Sequence, residues 1–142
     1  MNTKFIEQAK RLQGLETTFT VFSQAIKTPF ITCDEETFND QVWVFVTEDQ
    51  AKAFCKKRLE ENQDILMVVK MENNQLLPFY SSLYFLGVNE LVFTEEEKIT
   101  KMPLEDVQIL SIHYNLIFDR FQPFFQSTSA YHFNCFPSKA AY

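Results

Sequence analysis

VWVFVTEDQAKAFCKKRLEEN, residues Val42 to Asn62, contains the junction from which the fold can be read. Five apolar residues, Val42 to Val46, run without alternation, which suits a strand buried on both faces. Thr47 then stands where a helix N-cap belongs, with Gln50 three residues on. That spacing reads as a capping box, in which each side chain satisfies the other's backbone amide. Glu48 and Asp49 suit the positive end of the helix dipole, and Lys56, Lys57 and Arg58 the negative end. Ala51, Phe54, Cys55 and Leu59 form the stripe expected to be buried. The junction is therefore a strand feeding a capped helix. It is a folding device rather than a chemical one, and losing such a cap typically costs ~1 kcal/mol.

Upstream, Phe5, Ile6, Ala9 and Leu12 fall at i, i+1, i+4 and i+7, one face of a helix. Asn2 or Thr3 can cap it, and Gly14 reads as a stop or a kink. Leu15, Phe19, Phe22 and Ile26 continue at helical spacing, although Thr17, Thr18, Thr20 and Val21 are β-branched and weigh against a helix there. Pro29 ends the segment, giving an N-terminal helical stretch over about residues 2–27. Phe30 to Cys33 reads as a short strand, and Asp34 to Asp40 as a polar loop.

Downstream, Ile65 to Val69 reads as a second buried strand and Glu72 to Asn74 as a turn. Leu76 to Leu86 reads as a helix beyond Pro78, with Phe79, Leu83 and Leu86 on one side and Gly87 as its end. Leu91 to Phe93 is a further strand, TEEEK is exposed, and Ile99 to Leu104 is a brief extended piece. Strands alternating with helices predict an α+β domain, an α/β sandwich. Its mixed central sheet has about four to six strands covered by helices.

At 142 residues the chain is one domain, residues 1–142. Its 16 Phe predict a Phe-rich core with some rings left on the surface. Glycine is restricted to Gly14 and Gly87. Neither GxGxxG nor a Walker-type loop can be written with those two, so nucleotide binding by those routes is excluded. The net charge is −6 and no basic stripe occurs. That leaves no counterion-release term for nucleic acid and disfavours anionic membrane surfaces. No apolar run approaches the ~20 residues of a membrane span, and MNTKFIEQAKRLQ is too charged for a signal peptide. The expectation is a soluble, cytoplasmic protein.

Two stretches carry a family resemblance. FVTEDQAKAF after an apolar strand, and LPFYSSLYFLGVNELVF after another, resemble the SseB-like proteins of bacteria. The matching positions are Phe45, Thr47, Glu48, Ala51, Phe54, Leu86, Gly87, Val88 and Asn89. Val46 departs from the pattern by separating the phenylalanine from the threonine. The resemblance spans about Pro29 to Ile109 and rests on short structural motifs. It implies a small α/β domain without an assigned enzyme activity, and it supplies no catalytic residues.

The chemistry-bearing residues give little more. His113 and His132 form no i, i+4 pair and no HExxH, and a metal site would need the fold to join them with a carboxylate. Asp34-Glu35-Glu36, Glu60-Glu61, Glu95-Glu96-Glu97 and Glu105-Asp106 sit beside turns and helix ends, where water is expected. Cys33, Cys55 and Cys135 lack disulfide or zinc spacing and read as free thiols behaving as small hydrophobes. Ser81-Ser82 lies in an apolar helix, a packing position, and Trp43 is first a buried-strand residue. No catalytic, cofactor-binding or metal-binding residue is assigned, and no cofactor is expected.

Beyond Asp119 the chain has no acidic residue and many aromatics. Phe121, Phe124, Phe125, Tyr131, Phe133 and Phe136 form a candidate interface, because a large exposed apolar patch usually marks one. The alternative is that they cap the end of the sheet. Two functional readings follow. One is a non-catalytic interaction module, self-associating as a homo-oligomer or docking a partner protein. The other is a small enzyme whose site assembles from His113, His132 and a carboxylate. A third, an accessory domain of a longer chain, also fits. The small-molecule ligand, if any, is not named by these residues.

Overall fold

The computed structural model describes residues 3–117. The order is α1 (Thr3–Gly14), β1 (Thr17–Ser23), β2 (Ile31–Cys33), β3 (Asp40–Phe45), α2 (Glu48–Asn62), β4 (Leu66–Glu72), a 3-10 turn (Asn73–Gln75), α3 (Leu76–Phe85), β5 (Glu90–Glu95), β6 (Lys98–Pro103) and α4 (Leu104–Ile117). Five strands lie in the order β4-β1-β3-β5-β6, and β2 joins the sheet through β3. The β3–β5 pair is parallel and the others antiparallel, so the sheet is mixed and the fold is α+β. Among the described residues no helix is long and apolar enough to cross a membrane.

The largest correction lies at Leu15 to Ile26. Phe19 and Phe22 satisfy a helical period, yet Thr17–Ser23 is a strand paired along its whole length with β4. The run of β-branched residues decides it, since they crowd a helix and fit a pleated surface. Alternation then places Thr18, Thr20 and Phe22 on one face, Phe19 and Val21 on the other. Ile26, the fourth member of the apparent helical stripe, is exposed. The N-terminal helix therefore ends at Gly14.

The two faces of the sheet are covered unequally. On one, α1, α3 and α4 close over Phe22, Val42, Val44, Met71, Leu91 and Phe93. On the other, α2 packs over Phe45, Val21 and the half-buried Phe19, Trp43 and Val68. α2 contacts β4, β1 and β3, and the β5–β6 flank lies beside it. The expected strand at Val42 to Val46 is buried on both faces for this reason. Ile65 to Val69 is not: Ile65 is exposed, and β4 is a margin of the sheet with half-buried residues.

At the start of α2, Thr47 caps as expected: its Oγ1 accepts from the Gln50 backbone N–H at 3.3 Å. The return half of the box does not form, because the buried Gln50 Oε1 has no partner among the described residues. Ala51 is fully buried and Phe54 and Cys55 half-buried, but Leu59 is 50% exposed. The helix runs on to Asn62, so Lys56, Lys57 and Arg58 lie before its last turn, which holds no basic residue. Gly87 takes φ +86° where α3 ends, a left-handed conformation suited to glycine. Leu86, expected on the packed side of α3, is exposed.

α4 has no counterpart in the periodicity. Its inward side holds Leu104 and Val107 and then two polar residues, Ser111 and Asn115, both buried. Asn115 Nδ2 donates to the Ser111 carbonyl at 2.7 Å. Its outward side shows Ile109, Ile112 and Leu116. Apolar and polar residues are thus reversed over the last two turns, which hides the amphipathic signal.

Candidate functional site

Because β3 alternates, Gln41, Trp43 and Phe45 share the face covered by α2. The β5–β6 register adds Thr94 opposite Ile99 and Val92 opposite Lys101 on that same face. Between this flank and α2 lies a cleft of about 540 Å³, within the range of small-molecule sites.

Its floor is aromatic. Phe54, reaching down from α2, lies 4.9 Å from Trp43 and 5.3 Å from Phe45, centroid to centroid. Trp43 is held from below by a chain of hydrogen bonds. Its Nε1 donates to Thr32 Oγ1 at 2.9 Å, and Thr32 Oγ1 donates to Gln41 Oε1 at 3.3 Å. Gln41 Nε2 donates to Asp34 and Glu90, and Lys101 Nζ reaches Asp34 Oδ2 at 2.8 Å. Lys101 and the backbone amides of Glu36 and Thr37 stabilise the charged Asp34, holding its carboxyl down at about 2. This network is satisfied, and it fixes the indole plane.

The cleft walls differ. Thr94, only 8% exposed, is a lining residue whose buried Oγ1 has no hydrogen-bond partner among the described residues. Gln50, whose buried Oε1 is left over from the incomplete capping box, lines the same cleft. Lys57, Glu61 and Glu96 stand at the rim without an ion-pair partner among the described residues. Arg58 also lines it but is committed elsewhere: Nη2 lies 2.9 Å from Asp64 Oδ2, and the guanidinium stacks 5.1 Å over Phe30. Glu96 takes φ +55° in the β5–β6 turn, an uncommon conformation for a side chain of that length.

The residues singled out in the sequence lie elsewhere. Phe121, Phe124, Phe125, Tyr131, Phe133 and Phe136 fall outside the described residues, as do His132 and Cys135. His113 is exposed on α4. Cys33 is exposed rather than a packed hydrophobe, while Cys55 is half-buried and burial pushes its thiol up. Ser81 and Ser82 donate to the Leu77 and Phe79 carbonyls within α3, as packing positions do. Among the described residues no cluster of His, Cys, Asp and Glu is suited to hold a metal ion. Arg11 forks the Glu95 carboxylate across the open end of the sheet, which lowers the acid and raises the base.

The cleft was not visible in the sequence. Trp43, Gln50 and Phe54 come from the junction already quoted, but Thr94, Glu96 and Ile99 come from 40 or more residues downstream. The one available signal was Thr94, a polar residue ending an apolar strand. In comparisons with known proteins, no family model matches the chain and no curated protein matches it.

Proposed function

We propose that this chain is a non-catalytic protein–protein interaction module, self-associating or docking a partner protein. The observation that carries this is the outer surface of α3 and α4. Ile109, Ile112 and Leu116 form a stripe at i, i+3 and i+7 on α4, all exposed. The end of α3 adds Tyr84, Phe85 and Leu86, with Phe85 87% exposed. Scattered apolar residues are ordinary on a surface, but rows of them at helical spacing are the mark of a contact face. Burying Ser111 and Asn115 on the inner side while Ile112 and Leu116 face outward is costly in isolation and sensible where a partner covers the outside. The resemblance to SseB-like domains, which implies no assigned enzyme activity, is in keeping with the non-catalytic part of this reading.

The enzyme alternative has less support. Among the described residues, the groups displaced from their ordinary ionisation sit in exposed ion pairs, in the core at Tyr80, or at Cys55. None of them lines the cleft, whereas catalytic acids and bases are usually tuned within one.

Solution mass over a concentration series tests the module. The full chain is compared with the double substitution Ile112→Lys, Leu116→Lys by light scattering, alongside binding of a dye that fluoresces on apolar surface. The wild type is expected to gain mass with concentration and the variant to stay a monomer. A wild type that stays monomeric and binds dye no more than the variant refutes the assignment of this face.

A further inference from the structure

We infer that the face of α3 and α4 is covered by a second copy of this chain, docked antiparallel so that Leu116 of each copy lies on Phe85 of the other. The inference rests on the reading of that face as a contact surface, and it names the occupant.

The geometry follows from how α3 and α4 lie together. Leu104 N donates to the Asn89 carbonyl at 3.0 Å, just past the end of α3, and Gln108 Nε2 donates to Ser81 Oγ at 3.1 Å. The two helices are therefore antiparallel neighbours. Phe85 is one turn beyond Ser81, which puts it beside Glu105 in the first turn of α4, while Leu116 stands near the other end. At ~1.5 Å per residue, Leu116 and Glu105 each lie about 8 Å along the axis from the midpoint between Ile109 and Ile112. A two-fold axis at that midpoint sets Ile109 against Ile112 of the second copy. It also brings Leu116 level with Phe85 of the second copy, and symmetry repeats the contact on the other side. Packed helices commonly cross at roughly 50°. That inclination carries the end of one α4 across onto the α3 of the other copy.

Two observations favour a copy over a foreign protein. One is area. Tyr84, Phe85, Leu86, Ile109, Ile112 and Leu116 together present roughly 700 Å², aromatic rings giving the largest shares. That is close to the ~800 Å² that each partner contributes to a standard interface. The other is self-complementarity. The aliphatic end of the patch, Leu116, and its aromatic end, Phe85, are equally far from the midpoint, as an isologous contact requires. Charge then fixes the direction. Glu105 and Asp106 both lie in the first turn of α4. Parallel helices would oppose these acids to their own copies, a costly juxtaposition in a chain of net charge −6. Antiparallel helices hold them at opposite ends of the seam.

The full chain is followed by light scattering over a concentration series. Wild type, Phe85→Lys, Leu116→Glu and an equal mixture of the two variants are compared. Both positions are exposed, and thermal melts show that each variant is folded. The wild type is expected to approach twice its monomer mass and stop there, because an isologous contact closes at two. Each variant spoils both symmetric contacts and is expected to dimerise roughly 100-fold more weakly, about ten-fold for each anchor lost. In the mixture a hybrid keeps one native contact and joins the two introduced charges in the other, so at least about ten-fold of the loss is expected to return. A mass that climbs past two copies overturns the proposal. Folded variants that dimerise as the wild type does, or a mixture no heavier than its components at the same total concentration, overturn it too. So does a wild type that stays monomeric. If that monomer binds the apolar dye more than Ile112→Lys, Leu116→Lys does, the face is still a contact surface, for a different protein. If it does not, the reading of the face falls as well.

Discussion

Three buried threonines on the sheet differ in the state of their hydroxyls, and replacing each by valine separates the consequences. Thr94 and Thr18 are both buried with an Oγ1 that has no partner among the described residues, whereas Thr20 Oγ1 donates to the Trp43 carbonyl at 2.7 Å. Valine keeps the branched shape and the strand preference, so the change removes the hydroxyl and little else. Where the hydroxyl is unpaired, its removal relieves a desolvation cost of about 1–3 kcal/mol, partly offset by imperfect methyl packing. A gain of about 1 kcal/mol is expected for Thr18→Val and for Thr94→Val. Thr20→Val loses a formed bond, and a loss of about 1 kcal/mol is expected. In a domain of this size such a change moves the melting midpoint by roughly 3–5 °C. Urea unfolding of the three variants, with slopes checked for constancy, gives the free energies directly. The reasoning fails if all three shift in the same direction. A loss at Thr94 of the size seen at Thr20 would mean that its hydroxyl is paired in the native protein.

Other predictions rest on the same physics. Tyr80 is fully buried with a hydroxyl that has no partner among the described residues, and burial pushes its ionisation well above the ordinary tyrosine range. Tyr80→Phe should therefore be neutral or stabilising by up to about 1 kcal/mol in urea, and a loss beyond that would show a hidden partner. Thr47→Ala should cost about 1 kcal/mol, since the cap is formed, while Gln50→Ala should cost far less, since the return bond is not. Equal losses in the two would restore the complete capping box. Asp34 is held down at about 2 in the folded chain, below its ordinary value near 3.8. Its contribution is present above pH 4 and is lost as pH falls from about 4 to 2. Acid unfolding of Asp34→Asn should lack that portion of the pH dependence, and an unchanged profile would dismiss the Lys101 pairing as a source of stability.

How far the fold was legible depended on whether one period or two fitted the same residues. At Val42 to Asn62 the apolar run and the cap residue agree, and the structure follows them in the strand and the capped helix start, although Leu59 of the expected stripe is exposed. At Leu15 to Ile26 the phenylalanines fit a helical period, while the β-branched residues between them favour a strand that would carry Phe19 and Phe22 on opposite faces. Pairing with β4, a segment more than 40 residues away, decides between them. α4 escaped because Ser111 and Asn115 face inward while Ile112 and Leu116 face outward. The cleft was less legible still. Its floor is written in one stretch, but Thr94 and Glu96 reach it only through the parallel pairing of β3 with β5. Such non-local pairing leaves no mark on local spacing.

Among the described residues the five-strand path of the sheet ends at β4 and β6, and these two margins are guarded unequally against joining another chain edge to edge. β6 carries Lys98 and Lys101 and ends at Pro103, which cannot donate to a neighbouring strand. β4 begins Leu66-Met67-Val68-Val69 and offers no charge before Lys70. A short apolar β-prone run at an open edge is the usual seed of misassembly. Fibril formation on heating should therefore start at β4. Val69→Lys should lengthen the lag in an amyloid-dye assay, whereas a Thr100→Lys control on β6 should leave it unchanged. The colloidal fate of the concentrated protein is set by four residues of one margin, remote from both the cleft and the α4 stripe.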